Sequence, residues 1–136
     1  MVEAASLGNI RCKISGENLA DLDFFSKSDP VCIVEKKEGN SWVVKGQTER
    51  ILNDLNPTFE TEPYFEYESE QQTMKFTMWD HDGGNDFELI GSVEIKVSAI
   101  LEHIGNGTEY VADLKIELIT FRGNLNYALK IGGANT

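Results

Sequence analysis

Four carboxylates lie within nine residues of the chain, from Asp80 to Glu88, around the pair Gly83-Gly84. Like charges at close range repel each other, so a purely structural turn rarely holds this much negative charge. Hard divalent cations, and calcium above all, take about six to eight oxygen ligands from carboxylates, carbonyls and water. The stretch therefore predicts a loop that binds a calcium ion.

An earlier segment, residues 15–28, combines acidic residues with two adjacent aromatics. In it, Asp23 precedes the pair Phe24-Phe25, and the segment leads into Asp29-Pro30. Because Pro30 pushes the residue before it toward an extended conformation, the segment is expected to end there. Polar residues around an embedded aromatic pair are typical of a functional loop.

The rest of the chain predicts the elements that position these segments. About eight short segments have the alternating or continuous apolar pattern of strands. They cover residues 10–14, 31–34, 42–50, 64–67, 73–79, 91–97, 109–114 and 125–131. Gly39-Asn40 is a hairpin turn signal, and residues 97–104 predict a short helix. Short strands with turn signals about every ten residues predict an all-β fold, an eight-stranded antiparallel β-sandwich.

In a sandwich the loops cluster at two ends, so residues distant in sequence can converge. The carboxylates that can meet in this way are Asp23, Asp29, Asp80, Asp82 and either Asp86 or Glu88. In extended backbone Asp80 and Asp82 point the same way, because side chains alternate with a period of two. Such a set can hold one or two calcium ions.

With these residues assembled, the chain resembles a C2 domain, the calcium- and lipid-binding β-sandwich. The matching segments are Asn18-Leu19, Asp23, Ser28-Asp29-Pro30, Leu55-Asn56-Pro57-Thr58-Phe59, Trp79-Asp80-His81-Asp82 and Leu89-Ile90-Gly91. Three further segments resemble the first C2 domain of copines: Phe25-Ser26-Lys27-Ser28-Asp29-Pro30, Thr48-Glu49-Arg50 and Met74-Lys75-Phe76. Copines carry a second C2 domain and a von Willebrand A-type domain that this chain lacks, so an excised module or a relative is expected.

The resemblance implies a role for individual residues. The family's calcium ligands match Asp23, Asp29, Asp80, Asp82 and, at the fifth position, either Asp86 or Glu88. Main-chain carbonyls near Leu22 and His81 are implied as further ligands. Residues 123–131 resemble the first strand of synaptotagmin-type C2 domains but stand at the end of this chain. This order implies a circular permutation, the type II topology of the family.

Three aromatic residues are candidates for membrane contact: Phe24, Phe25 and, more weakly, Phe87. An adjacent aromatic pair points in opposite directions if the backbone is extended, so one ring of the first two is expected at the loop surface. Gly83-Gly84 gives the other loop a tip that does not insert. The region of residues 45–50 has two basic residues separated by a glutamate, so selectivity for phosphoinositides is not expected.

Composition limits the possible functions. The chain has 23 acidic and 12 basic residues and a net charge of −11. Nucleic acids are not expected as partners, because phosphate binding needs clustered lysine and arginine. The same charge opposes constitutive binding to anionic lipid. Cys12 and Cys32 lie in strand-like runs and are interpreted as reduced, half-buried residues of a cytosolic protein.

The sequence thus predicts one C2 domain over residues 7–132, with flexible termini at residues 1–6 and 133–136. Its predicted function is calcium-dependent docking on anionic phospholipid, as an electrostatic switch with reversible membrane association. A calcium-independent protein-interaction module is the alternative. The chain has two histidines and no nucleophile–base set or phosphate-binding glycine loop, so no enzyme is predicted.

Overall fold

The computed structural model of the chain describes residues 6–17, 19, 29–105, 110–113 and 128–135. Within these residues, eight β-strands and one α-helix are present. They are β1 Gly8–Glu17, β2 Pro30–Glu38, β3 Ser41–Gln47, β4 Tyr64–Tyr67, β5 Thr73–His81, β6 Phe87–Lys96, α1 Val97–Gly105, β7 Tyr110–Asp113 and β8 Ala128–Asn135. The described part of the chain therefore has the strands that the alternating patterns predicted.

The strands form two four-stranded antiparallel sheets. One sheet has the order β4-β1-β8-β7 and the other β3-β2-β5-β6. The last strand lies beside the first, with Ile14 opposite Ile131 and Ile10 opposite Asn135. The predicted permuted, type II order is thus confirmed. Because β1 offers pairing partners from Ile10 to Glu17, β8 continues to Asn135, through residues that were predicted to be a flexible terminus.

The core lies between the inner faces of the two sheets. In β1, Ile10, Cys12 and Ile14 are almost fully buried, and their neighbours in sequence are more exposed. From the other sheet, Met74, Phe76 and Met78 fill the opposing face together with residues of β2 and β6. Each of these large side chains stabilises the fold by about 1.5–3 kcal/mol through removal from water.

Cys12 and Cys32 are both free, as predicted, and they are fully buried rather than half-buried. Burial raises the pKa of the Cys12 thiol to about 12. For Cys32, burial and the neighbouring Cys12 raise the pKa further. Both thiols are therefore neutral members of the core rather than reactive groups.

Three of the predicted boundaries that change in the structure lie next to the site. The third strand ends at Gln47 rather than continuing to residue 50, because the Thr48 hydroxyl accepts a 2.8 Å hydrogen bond from the Cys32 N–H in place of a main-chain partner. The fifth strand continues to His81, and the sixth begins at Phe87, ahead of the predicted start at residue 91. Strand pairing therefore shortens the acidic loop between them to residues 82–86, here called the third loop.

The hairpin turn at Gly39-Asn40 is confirmed, with Gly39 at φ 62°. The predicted helix is also present, as α1. In the described part of the chain, no helix is long and apolar enough to cross a membrane.

Candidate metal centre

The third loop is a tight connection held by its own backbone. The Asp82 N–H donates to the Asp86 carbonyl, and the Asp86 N–H donates to the Gly83 carbonyl, both at 3.0 Å. Between them Gly83 and Gly84 have φ values of 102° and 56°, a region that favours glycine because a Cβ clashes there. The two glycines thus allow a short turn that brings Asp82 and Asp86 together.

Asp80 lies at the base of this loop and is the most unusual residue in the site. Its side chain is 0% exposed. Oδ1 accepts a 2.8 Å hydrogen bond from the Asp29 N–H. Oδ2 is also buried and has no hydrogen-bond partner among the described residues. An unpaired buried carboxylate oxygen is costly, and a metal ion is one of the few partners that can offset this cost.

Asp29 connects the start of β2 to two loops. Its Oδ1 accepts a 2.7 Å hydrogen bond from the Asn53 N–H, and its carbonyl accepts one of 3.0 Å from the His81 N–H. Asn53 has a φ of 52° and lies in the second loop, residues 48–63. The backbone around Asp29 is therefore fixed from both sides, and this holds its carboxylate next to Asp80.

The carboxylates form two groups that share one residue. One oxygen each from Asp29, Asp80 and Asp82 lies within 4.8 Å of the others, and the same is true of Asp82, Asp86 and Glu88. We refer to these five carboxylates as the acidic rim. Oxygen separations of this size are suited to hard cations such as calcium. The donor set fits two neighbouring ion positions that are bridged by Asp82.

The structure bears on whether Asp86 or Glu88 is the fifth calcium ligand. Both carboxylates belong to the group that contains Asp82, and neither belongs to the group that contains Asp29. Glu88 is in β6, where it pairs directly with Asp80 of β5. Like charges directly opposite each other destabilise a sheet, so this pair also favours a cation.

His81, whose carbonyl the family resemblance implied as a ligand, has other contacts. Its carbonyl accepts a 3.1 Å hydrogen bond from Nη1 of Arg50, and its ring Nε2 is 3.1 Å from the Gly84 carbonyl. The Arg50 guanidinium therefore already occupies one lone-pair direction of the His81 carbonyl oxygen, which the family resemblance implied as a calcium ligand. This contact of Arg50 could not be predicted from the sequence, because the second and third loops are separate in the chain.

Two apolar side chains lie at or near the acidic rim. Phe87, a predicted membrane contact, is 40% exposed and begins β6 instead of standing at the loop tip. Its ring stacks on His81 with centroids 4.0 Å apart. Leu52, which the sequence analysis did not select, is 60% exposed and adjoins Asn53. The remaining predicted site residues lie outside the described residues: Leu22, Asp23, Phe24 and Phe25.

Comparisons with known proteins agree with this architecture. The family described as "C2 domain" matches residues 9–111. Nicotinic receptor-associated protein 1 of Caenorhabditis elegans is 33% identical over 129 residues, covering 71% of this chain and 20% of that protein. Copine-E of Dictyostelium discoideum is 38% identical over 96 residues, covering 65% of this chain and 17% of its own length. The chain thus spans about a fifth of the length of these relatives.

Solved structures show the same fold. A structure named BON1-C2B has a TM-score of 0.79 and 22% identity, covering 100% of this chain and 96% of that one. A calcium-bound structure of two C2 domains of Extended-Synaptotagmin 2 has a TM-score of 0.68 and 20% identity, covering 96% of this chain and 47% of that one.

Proposed function

The chain belongs to the C2 domain family, and on that premise we propose that it docks on anionic phospholipid membranes when calcium binds to its acidic rim. Copines are among its relatives, and C2 domains in general are calcium- and lipid-binding modules. For this chain in particular, we propose that docking depends on calcium. Its site consists of the five carboxylates of the rim, and we also assign to it Asp23 of the segment formed by residues 15–28.

One observation carries the proposal. Asp80 is fully buried, and its Oδ2 has no hydrogen-bond partner among the described residues, although Oδ1 is well bonded. This carboxylate belongs to a group with Asp29 and Asp82 whose oxygens lie within 4.8 Å of one another. A fold that needed Asp80 only as an acceptor for the Asp29 N–H could use asparagine at lower cost. A cation ligand explains why a carboxylate stands there.

The charge of the rim determines that the membrane-binding form is the one with calcium bound. Five carboxylates at one end of a chain with net charge −11 repel an anionic leaflet. Bound calcium supplies positive charge and open coordination positions that lipid phosphate oxygens can fill. The carboxylates of Asp29, Asp80 and Asp82 hold the first ion position, and Asp82 shares the second with Asp86 and Glu88.

Apolar contacts add to this electrostatic attraction. We assign Phe24 and Phe25 of the segment formed by residues 15–28 to the lipid interface, with Phe87 and the exposed Leu52 at the border of the rim. Burial of such side chains contributes about 25 cal/mol per Å² of apolar surface. Since neither the charge term nor the apolar term suffices by itself, we expect the association with the cytoplasmic leaflet to be reversible.

Sedimentation with phosphatidylserine vesicles tests the proposal. We expect the protein to sediment with vesicles in calcium and to stay in solution with a chelator. The double variant Asp80→Asn, Asp82→Asn should lose the calcium-dependent fraction while its circular dichroism stays unchanged. Glu94→Gln is the matched control, because Glu94 is an exposed acidic residue of β6 outside the rim. Equal sedimentation with and without calcium would reject the switch.

Calorimetry separates this function from a calcium-independent protein-interaction module. We expect heat of calcium binding to the wild-type protein and a loss of that heat in the double variant. If no heat appears up to millimolar calcium, the rim does not bind calcium and the interaction module becomes the better explanation.

A further inference from the structure

An open hollow of about 270 Å³ lies on the outer face of the β3-β2-β5-β6 sheet. Its lining consists of Ile33, Glu35, Val44, Trp79 and Phe87. Ile33 and Glu35 alternate in β2 with the buried Cys32 and Val34, so they point away from the core. Val44 is 57% exposed and Phe87 is 40% exposed. Large apolar side chains thus surround one carboxylate on a surface that the core does not use.

Two aromatic rings form walls of this hollow. The rings of Trp79 and Phe87 are 6.1 Å apart, with an angle of 81° between their planes. The face of an aromatic ring attracts cations, and both of these rings line the hollow, although His81 covers one face of the Phe87 ring. The same sheet face already contains such a contact, because Nζ of Lys75 lies 4.3 Å from the centre of the Trp42 ring. Cations are therefore the class of guest that these walls favour.

Glu35 adds a negative charge to the aromatic walls. No ion pair with Glu35 occurs in the part of the chain that the structure describes, where Lys36 pairs with Glu38 and Glu68. Lys75, the partner of Glu35 across the strands, is positioned over Trp42. The carboxylate can therefore attract a positively charged guest.

The shortage of acceptors decides which cation fits. An ammonium group of lysine has three N–H donors and a guanidinium has five, whereas the hollow offers one carboxylate among apolar side chains. Those N–H donors that turn toward the apolar walls of this open hollow lose their hydrogen bonds to water without gaining acceptors, which costs free energy. A quaternary ammonium group has no N–H donor, so it loses no hydrogen bond to water when it enters an apolar site. Its methyl groups also bury apolar surface against the aromatic rings.

We propose that this hollow binds the trimethylammonium group of choline on phosphatidylcholine headgroups. A lipid source is favoured because the hollow adjoins the acidic rim: Phe87 directly follows the third loop and pairs with His81 at the end of β5. This site would extend the proposed membrane docking. Its binding of lipid headgroups rests on that proposed function. Binding of choline itself requires neither calcium nor a membrane.

Nuclear magnetic resonance titration with choline chloride tests the site directly, without calcium. We expect the Trp79 indole signal to shift and saturate, with a dissociation constant on the order of millimolar for a partly exposed cation–π site. Glu35→Gln and Trp79→Leu should each weaken binding by about tenfold. Tyr64→Leu is the matched control, because Tyr64 is an exposed aromatic residue of the other sheet, and this variant should bind choline normally. Ethanolamine, which carries N–H donors, should bind more weakly than choline.

A vesicle experiment distinguishes failure of this site from failure of the calcium switch. With calcium, vesicles of phosphatidylserine and phosphatidylcholine should bind the protein several-fold more tightly than vesicles in which phosphatidylethanolamine replaces phosphatidylcholine. Glu35→Gln should remove this difference and keep the dependence on calcium. Loss of calcium dependence in the wild type would instead contradict the proposed function.

Three results would overturn the inference. One is a shift of the Trp79 indole signal that increases linearly with choline concentration without saturating, or an equal shift of the Trp42 signal. Another is equal binding of choline and ethanolamine. The third is tighter binding of a trimethyl-lysine peptide than of phosphatidylcholine, which would assign the hollow to a protein ligand.

Discussion

The main-chain N–H of Asp29 donates a 2.8 Å hydrogen bond to Oδ1 of Asp80, although 51 positions separate the two residues in the chain. The bond joins the start of β2 to the end of β5, where Pro30 pairs with Asp80 in the sheet. It engages one carboxylate oxygen and leaves the other, Oδ2, buried without a partner among the described residues. One hydrogen bond thus positions the residue on which the proposed calcium site depends.

Asp80→Asn should separate the structural role of this residue from its metal-binding role. Asparagine keeps an acceptor for the Asp29 N–H and removes a buried charge. Without calcium we expect the free energy of unfolding to stay the same or to rise by about 1 kcal/mol. Calcium at a hundredfold excess over its dissociation constant should stabilise the wild type by about 2.7 kcal/mol and the variant far less.

Thermal unfolding in calcium and in chelator measures both effects. Asp80→Ala serves as a comparison, since it leaves the Asp29 N–H without its acceptor and should lower stability under both conditions. If Asp80→Asn keeps the full stabilisation by calcium, Asp80 is not a ligand.

Asp86→Asn and Glu88→Gln should have similar effects on calcium binding, because both residues share a group with Asp82 and not with Asp29. We expect each variant to weaken the ion at the second position about tenfold through loss of one carboxylate. The ion at the first position should be retained. Calorimetric titration resolves the two steps, with Glu94→Gln as control. A strong effect of one variant and none of the other would mean that a single fifth ligand is used.

Arg50→Gln should strengthen calcium binding. The guanidinium donates to the His81 carbonyl and brings a positive charge next to the third loop. Its removal frees this carbonyl and reduces repulsion of the ion, so we expect an affinity gain of about three- to tenfold at low salt. Arg50→Lys keeps the charge and loses the guanidinium geometry, and it should behave like the wild type if repulsion is the cause. A gain that persists unchanged at high salt would contradict the electrostatic explanation.

Glu49 should make the stability of the second loop depend on pH. Its burial raises the pKa of the carboxyl, but the N–H groups of Glu60 and Thr61 outweigh this effect and lower the pKa below its ordinary value of 4.5. A lowered pKa in the folded state means that the ionised carboxylate stabilises the fold above pH 4.5. This contribution is lost as the pH falls through the folded-state value.

The comparison of Glu49→Gln with the wild type isolates this contribution from the other carboxylates. At neutral pH we expect the variant to be less stable by about 1 kcal/mol, the usual worth of such hydrogen bonds. The difference should disappear at low pH, where both side chains are neutral. Urea unfolding across the pH range, in chelator, provides the measurement. A difference that stays constant with pH would show that the charge of Glu49 has no role.

Local patterns account for the parts of the fold that the sequence predicted. Alternation in residues 73–79 placed β5 correctly, because the period of side chains along a strand is a local property. The end of this strand was not predictable in the same way. A register shift between Met78 and Trp79 precedes the pairing of His81 with Phe87. Both features depend on how β5 pairs with β6, and the residues of β5 alone do not reveal them.

By itself, the sequence determined the β-sandwich, the acidic segments and the family resemblance, because each depends on residue types and on their order. The tertiary structure decided which carboxylates meet, since Asp82 joins two groups only after β5 and β6 pair. It also decided the contact of Arg50 with His81 and the hollow between Glu35 and Trp79. These features arise between strands and loops that are distant in the chain, where packing and not local sequence sets the distances.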